Sequence, residues 1–81
     1  MAKTPTDPPT RIRKILAVNI KRLRTELGYT QETLAFEADL DRSYIAHVER
    51  LRRNPSLDNV AKIAKALRVE VDELLRPFLP K

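Results

Sequence analysis

Apolar residues spaced three and four apart set the terms for this chain. Ile12, Leu16, Ile20, Leu23 and Leu27 recur in that rhythm and would line one face of a helix. The rhythm stops at Gly28, the only glycine in the sequence and a residue suited to a left-handed helix end. A first helix is therefore expected over about Arg11–Leu27. Thr30 can cap a second helix, "QETLAFEA", with Glu32 in its first turn and Leu34, Ala35 and Ala38 as its apolar positions. Asp39 and Leu40 form a short connection. Asp41 then caps a third helix, "RSYIAHVER", anchored by Ile45 and Val48. Asn54-Pro55 breaks the chain, and Ser56 caps a fourth helix whose core face is Leu57, Val60, Ile63, Ala64 and Leu67. A short fifth helix is expected from about Val71 to Leu75. No segment alternates apolar and polar residues as a half-buried strand would. The fold class is all-α, a compact bundle of five short helices.

With 81 residues the chain makes one domain at most. A domain this small buries only about 60% of its unfolded surface, so a dense helical core, a partner subunit or both must stabilise it. Residues 1–10 hold three of the six prolines and are expected to form a flexible arm. The domain proper then spans 11–76, and residues 77–81 form a proline-punctuated tail. The opening "MAKTPTDPPT" lacks the apolar core of a signal peptide, and no apolar run approaches the ~18 residues of a membrane span. The cytoplasm is the expected location.

Composition also narrows the chemistry. There is no cysteine, hence no disulfide, thiol nucleophile or cysteine metal site. There is one histidine, His47, and neither a glycine-rich phosphate loop nor paired carboxylates with a plausible cleft. The chain is not expected to be an enzyme or to hold a cofactor, and no spacing brings His47 together with acidic ligands for a metal. The net charge of +5 and pI near 10.0 point to an anionic partner. Its placement sharpens this: between Arg42 and Arg53 stand four arginines and a single acid, Glu49.

The stretch "TQETLAFEADLDRSYIAHVE" has the parts of a helix-turn-helix formed by helices 2 and 3. Ala35 is small where the second helix must approach, and Leu40 is an apolar plug in the turn. With Ile45 and Val48 directed inward, Arg42, Ser43, Ala46, His47 and Arg50 fall on the opposite face. That face carries no acid and suits the base edges of a major groove. Arg42 is the best base reader, because a guanidinium can grip guanine O6 and N7 together. Ser43 and His47 share its face and would meet a base or a phosphate. Tyr44 would contact a thymine methyl group or the backbone, or pack on helix 2. Arg50, Arg52, Arg53 and Asn54 would grip the DNA backbone. Lys21 and Arg22 would either add phosphate contacts or remain solvated.

Taken in order, "IKRLRTELGYTQETLA", "YIAHVER", "RRNPSLDNVAKIAKAL" and "VDELL" resemble the Cro and phage-repressor type of helix-turn-helix domain, the XRE family. The likeness covers roughly residues 12–76, including in type small repressors and the controller proteins of restriction-modification systems. It implies five helices, helix 3 in the major groove of double-stranded DNA, and a homodimer acting as a sequence-specific transcriptional regulator on a two-fold-related operator. It also implies that Gln31 contacts a phosphate and that Glu49 pairs with Arg24 on helix 1. Leu57, Val60, Leu75, Phe78 and Leu79 are candidates for the dimer interface. An alternative function for the same fold is a protein-interaction module, such as an antitoxin or anti-repressor. The chain departs from the family at Asp39, Leu51 and Arg68, where glycine is common. At Leu51 the expectation is that helix 3 runs on or frays, with Asn54 as the left-handed residue.

Overall fold

A computed structural model describes residues 7–79. The described residues form five helices and no strand: α1 (Pro8–Glu26), α2 (Gln31–Ala38), α3 (Arg42–Glu49), α4 (Leu57–Ala66) and α5 (Val71–Leu75). α1 packs on α3 and α5, α2 on α3 and α4, and α4 on α5. No helix among the described residues is long and apolar enough to cross a membrane.

α1 begins earlier than the periodicity of its apolar face predicts. Pro8 and Pro9 occupy its first two positions, and the Asp7 side chain accepts a hydrogen bond from Thr10 N at 3.0 Å. Proline at a helix start forfeits no intrahelical bond and carries a suitable φ, so residues 8–10 belong to the helix rather than to an arm. Residues 1–6 of the expected arm lie outside the described residues, as do residues 80 and 81 of the expected tail.

Four helices end in the same way. The residue after the last turn is left-handed: Gly28 at φ 77°, Asp39 at 58°, Leu51 at 63° and Arg68 at 63°. In each case the next N–H reaches back to a carbonyl of the last turn. These bonds are Tyr29 N to Arg24 O (2.7 Å), Leu40 N to Ala35 O (2.8 Å), Arg52 N to His47 O (2.8 Å) and Val69 N to Ala64 O (3.0 Å). They satisfy carbonyls that a helix end otherwise leaves without a partner. The expectation for Leu51 is therefore corrected. Leu51 takes the left-handed conformation, and Asn54 is not among the residues with positive φ. Leu51 N also donates to Val48 O at 3.1 Å, and the two bonds hold the turn against a strain of roughly 1–2 kcal/mol.

The core joins Leu16 and Ile20 of α1, Leu34 of α2, Ile45 and Val48 of α3, Val60, Ile63 and Ala64 of α4, then Leu67 and Leu74. Two expectations about faces fail. Leu57 is 80% exposed, because it starts α4 before that helix reaches the core. Ala46 is buried rather than outward, because α3 is flanked by both α1 and α2, which cover more than one stripe of it. Asn19 is the one buried polar residue among those described. Its Nδ2 donates to the carbonyls of Leu74 at 2.8 Å and Arg76 at 2.7 Å, with Glu73 O at 3.5 Å. A side chain of α1 thereby caps the end of α5.

Candidate nucleic-acid interface

Local chemistry sets the turn between α2 and α3. Thr30 caps α2 by accepting from Thr33 N at 3.0 Å. Three residues, 39–41, separate the two helices, with Asp39 left-handed and Leu40 partly buried against the core. Ala35 is buried where α3 comes close. Asp41 stands at the N-cap of α3 with extended backbone, but its side chain makes no capping hydrogen bond.

The two sides of α3 differ sharply. Ile45, Ala46 and Val48 are buried, whereas Arg42, Ser43 and His47 are exposed on the other side. Arg50, Arg52, Arg53 and Asn54 follow directly and are exposed as well. Tyr44, also expected at the DNA, sits differently from these residues. It is half-buried, its hydroxyl accepts from Asn59 Nδ2 at 3.0 Å, and Arg53 lies 5.2 Å from its ring centroid. Its hydroxyl oxygen is thus tied to α4, while its own O–H remains to donate. The Asn59 partnership was not foreseen, because it joins residues fifteen apart on different helices.

Glu49, the lone acid of the basic window, is tied up from three directions. Arg24 Nε donates to Oε2 at 2.7 Å and Nη2 donates to Oε1 at 3.0 Å, a two-pronged pair. Gln31 Nε2 donates to Oε1 at 3.1 Å. Arg24 Nη1 also donates to Tyr29 O at 3.1 Å. The side chains of Arg24 and Glu49 are only 12% and 6% exposed. The hydrogen bond to Glu49 raises the pKa of Arg24, against the lowering effect of burial, so the guanidinium stays charged. The carboxylate is neutralised and α3 is fastened to α1. Gln31, expected at a phosphate, spends one N–H on Glu49; its amide has a second N–H to offer.

Arg22, considered for a phosphate contact, has partners within the chain. It donates to Glu26 Oε2 at 3.3 Å and Asn19 Oδ1 at 3.2 Å, and its guanidinium sits 4.0 Å from the Phe78 ring centroid. Lys21 remains exposed. Of the residues considered for a dimer interface, Leu57, Phe78 and Leu79 are exposed and Leu75 is half-buried. Val60 is only 5% exposed and belongs to the core, since it shares the inner face of α4 with Ile63 and Ala64. It cannot serve a partner. The described residues bring together no group of three or more His, Cys, Asp or Glu able to hold a metal ion.

Comparison with known proteins agrees with this geometry. A family model described as helix-turn-helix matches residues 20–74. Over 65 residues the chain is 46% identical to Control protein C.BamHI of Bacillus amyloliquefaciens, covering 79% of this chain and 80% of that one. The crystal structure of the restriction-modification controller protein C.AhdI from Aeromonas hydrophila superposes with a TM-score of 0.74 at 48% identity, covering 76% of this chain and 94% of that one. That of the hypothetical transcription factor NHTF from Neisseria gives a TM-score of 0.81 at 39% identity, covering 95% and 84%. The chain belongs to the helix-turn-helix family of the XRE type and is a DNA-binding transcriptional regulator.

Proposed function

We propose that the protein acts as a homodimer on a two-fold-related duplex site, with α3 of each copy in successive major grooves about 34 Å apart. One observation carries this reading. α3 buries one side and neutralises its only acid against Arg24, while its other side leads without interruption into a run of exposed arginines. In this arrangement Arg42 reads guanine, and Ser43 and His47 meet a neighbouring base or phosphate. Arg50, Arg52, Arg53 and Asn54 hold the sugar-phosphate backbone, and the second N–H of Gln31 points the start of α2 toward a phosphate. Tyr44 steadies Arg53 in this interface and keeps its O–H and ring edge for a thymine methyl group or the backbone. Leu57, Leu75, Phe78 and Leu79 form the surface available to a second copy.

The regulatory act is occlusion of a promoter or contact with polymerase beside it. The likeness to controller proteins of restriction-modification systems supports gene control as the role. The test is a gel shift with random duplex pools at two salt concentrations. Binding should weaken steeply as salt rises, because each phosphate contact releases counterions. If no duplex is retained even at low salt, the reading is wrong. The alternative is then a protein-interaction module, for which Phe36, 82% exposed on α2, supplies an apolar contact point.

A further inference from the structure

Leu51 occupies a position that serves the fold poorly. Its backbone is left-handed at φ 63°, a conformation that leucine adopts only at a cost. Its side chain is 43% exposed. A glycine here would make the same two hydrogen bonds, from its own N–H to Val48 and from Arg52 N–H to His47, without strain and without exposing apolar surface. Within the folded monomer, then, the outer part of this side chain contributes little that would justify the strain.

The surroundings narrow the kind of partner that can cover it. Arg50 precedes Leu51, and Arg52 and Arg53 follow, all exposed. A second copy of the chain seated here by two-fold symmetry would set these arginines against their own counterparts, and a basic protein would be repelled in the same way. A polyanion is favoured instead. The patch begins where α3 ends, next to the face carrying Arg42, Ser43 and His47.

We infer that Leu51 is a DNA-contact residue, resting on the reading of α3 as the major-groove helix. Its isobutyl group packs against deoxyribose rings at the edge of the minor groove, between phosphates held by Arg50, Arg52 and Arg53. Sugar edges are the apolar part of a duplex surface, and they lie between the charges that the arginines grip. Such a contact neutralises no phosphate, so it adds affinity without adding salt dependence.

The test uses the full chain and a duplex that it selects from a random pool. Leu51→Gly, Leu51→Ala and Leu51→Met are compared with the parent for thermal melting and for Kd at two salt concentrations. Leu51→Gly and Leu51→Ala should each bind about five- to tenfold more weakly, the loss expected for one modest apolar contact, by the same factor at both salts. Leu51→Met should bind within about twofold of the parent, since it keeps a flexible apolar side chain. Leu51→Gly should nevertheless melt higher than the parent, so stability and affinity move in opposite directions. Unchanged Kd in Leu51→Gly, or a loss in Leu51→Met equal to that in Leu51→Ala, overturns the inference while leaving the major-groove reading intact. A parent chain that retains no duplex at low salt refutes the major-groove reading itself, and the Leu51 contact with it.

Discussion

Glu49 and Arg50 are neighbours in the chain and face opposite environments. Glu49 points inward, held by Arg24 and Gln31 at the seam between α1 and α3. Arg50 faces solvent and opens the run of exposed arginines. Asn19, fully buried where α1 meets α5, behaves like Glu49, and Arg42 behaves like Arg50. The difference teaches that charge and polarity do two separate jobs here. Polar groups at the seams hold helices together; polar groups on the outer side of α3 are left open for a ligand. The first kind should register in stability and the second in binding.

The largest effect expected is on the seam. Glu49→Ala strands a partly buried guanidinium and should lower unfolding free energy by about 3–5 kcal/mol in a urea titration. A loss below about half a kcal/mol would mean that the pair is energetically a surface pair, and the contrast with Arg50 would collapse. Asn19→Ala leaves the carbonyls at the end of α5 without their donor. It should cost about 1–3 kcal/mol by the same measurement, with Arg22 losing a partner as well.

Arg42→Ala should leave the melting curve unchanged and weaken binding to the preferred duplex by about 1–3 kcal/mol, with relaxed choice at one base pair on reselection. A drop in melting temperature would place Arg42 with the seam residues. Leu51→Gly should raise stability by roughly 1 kcal/mol, because only the strain is removed. An unchanged or lowered melting temperature would show that the leucine packs well enough to offset its backbone. The smallest change is expected for Arg52→Ala: the slope of log K against log salt should become shallower by about 0.9, the share of one phosphate. An unaltered slope would remove Arg52 from the backbone contacts.

Much of this was legible from residue spacing. The three-and-four rhythm placed the helices, Gly28 marked the end of α1, and the order of parts from Thr30 to Glu49 disclosed the helix-turn-helix. Other features were hidden for identifiable reasons. Pro8 and Pro9 read as a helix-breaking arm, yet proline at a helix start is favourable once Asp7 caps it. Leu57 carries an apolar side chain at a helical spacing, but which turns of α4 are covered depends on where neighbouring helices lie. Tyr44 and Asn59, or Asn19 and Leu74, meet only because distant segments are brought together.

The sequence by itself determined the number and type of elements, the inward set of Ile20, Leu34, Ile45 and Ile63, and the concentration of arginine after α3. These are properties of periodicity and composition, which local chain geometry converts directly into helices and faces. Only the tertiary structure decided that Leu51 would turn left-handed and that Ala46 would be covered. It also buried Val60 in the core, gave Arg22 partners in Asn19, Glu26 and Phe78, and paired Glu49 with Arg24. These outcomes turn on packing and hydrogen bonds between neighbouring helices and, at Leu51, on the bonds of its own turn, worth a kilocalorie or more and enough to override the preference of a single residue.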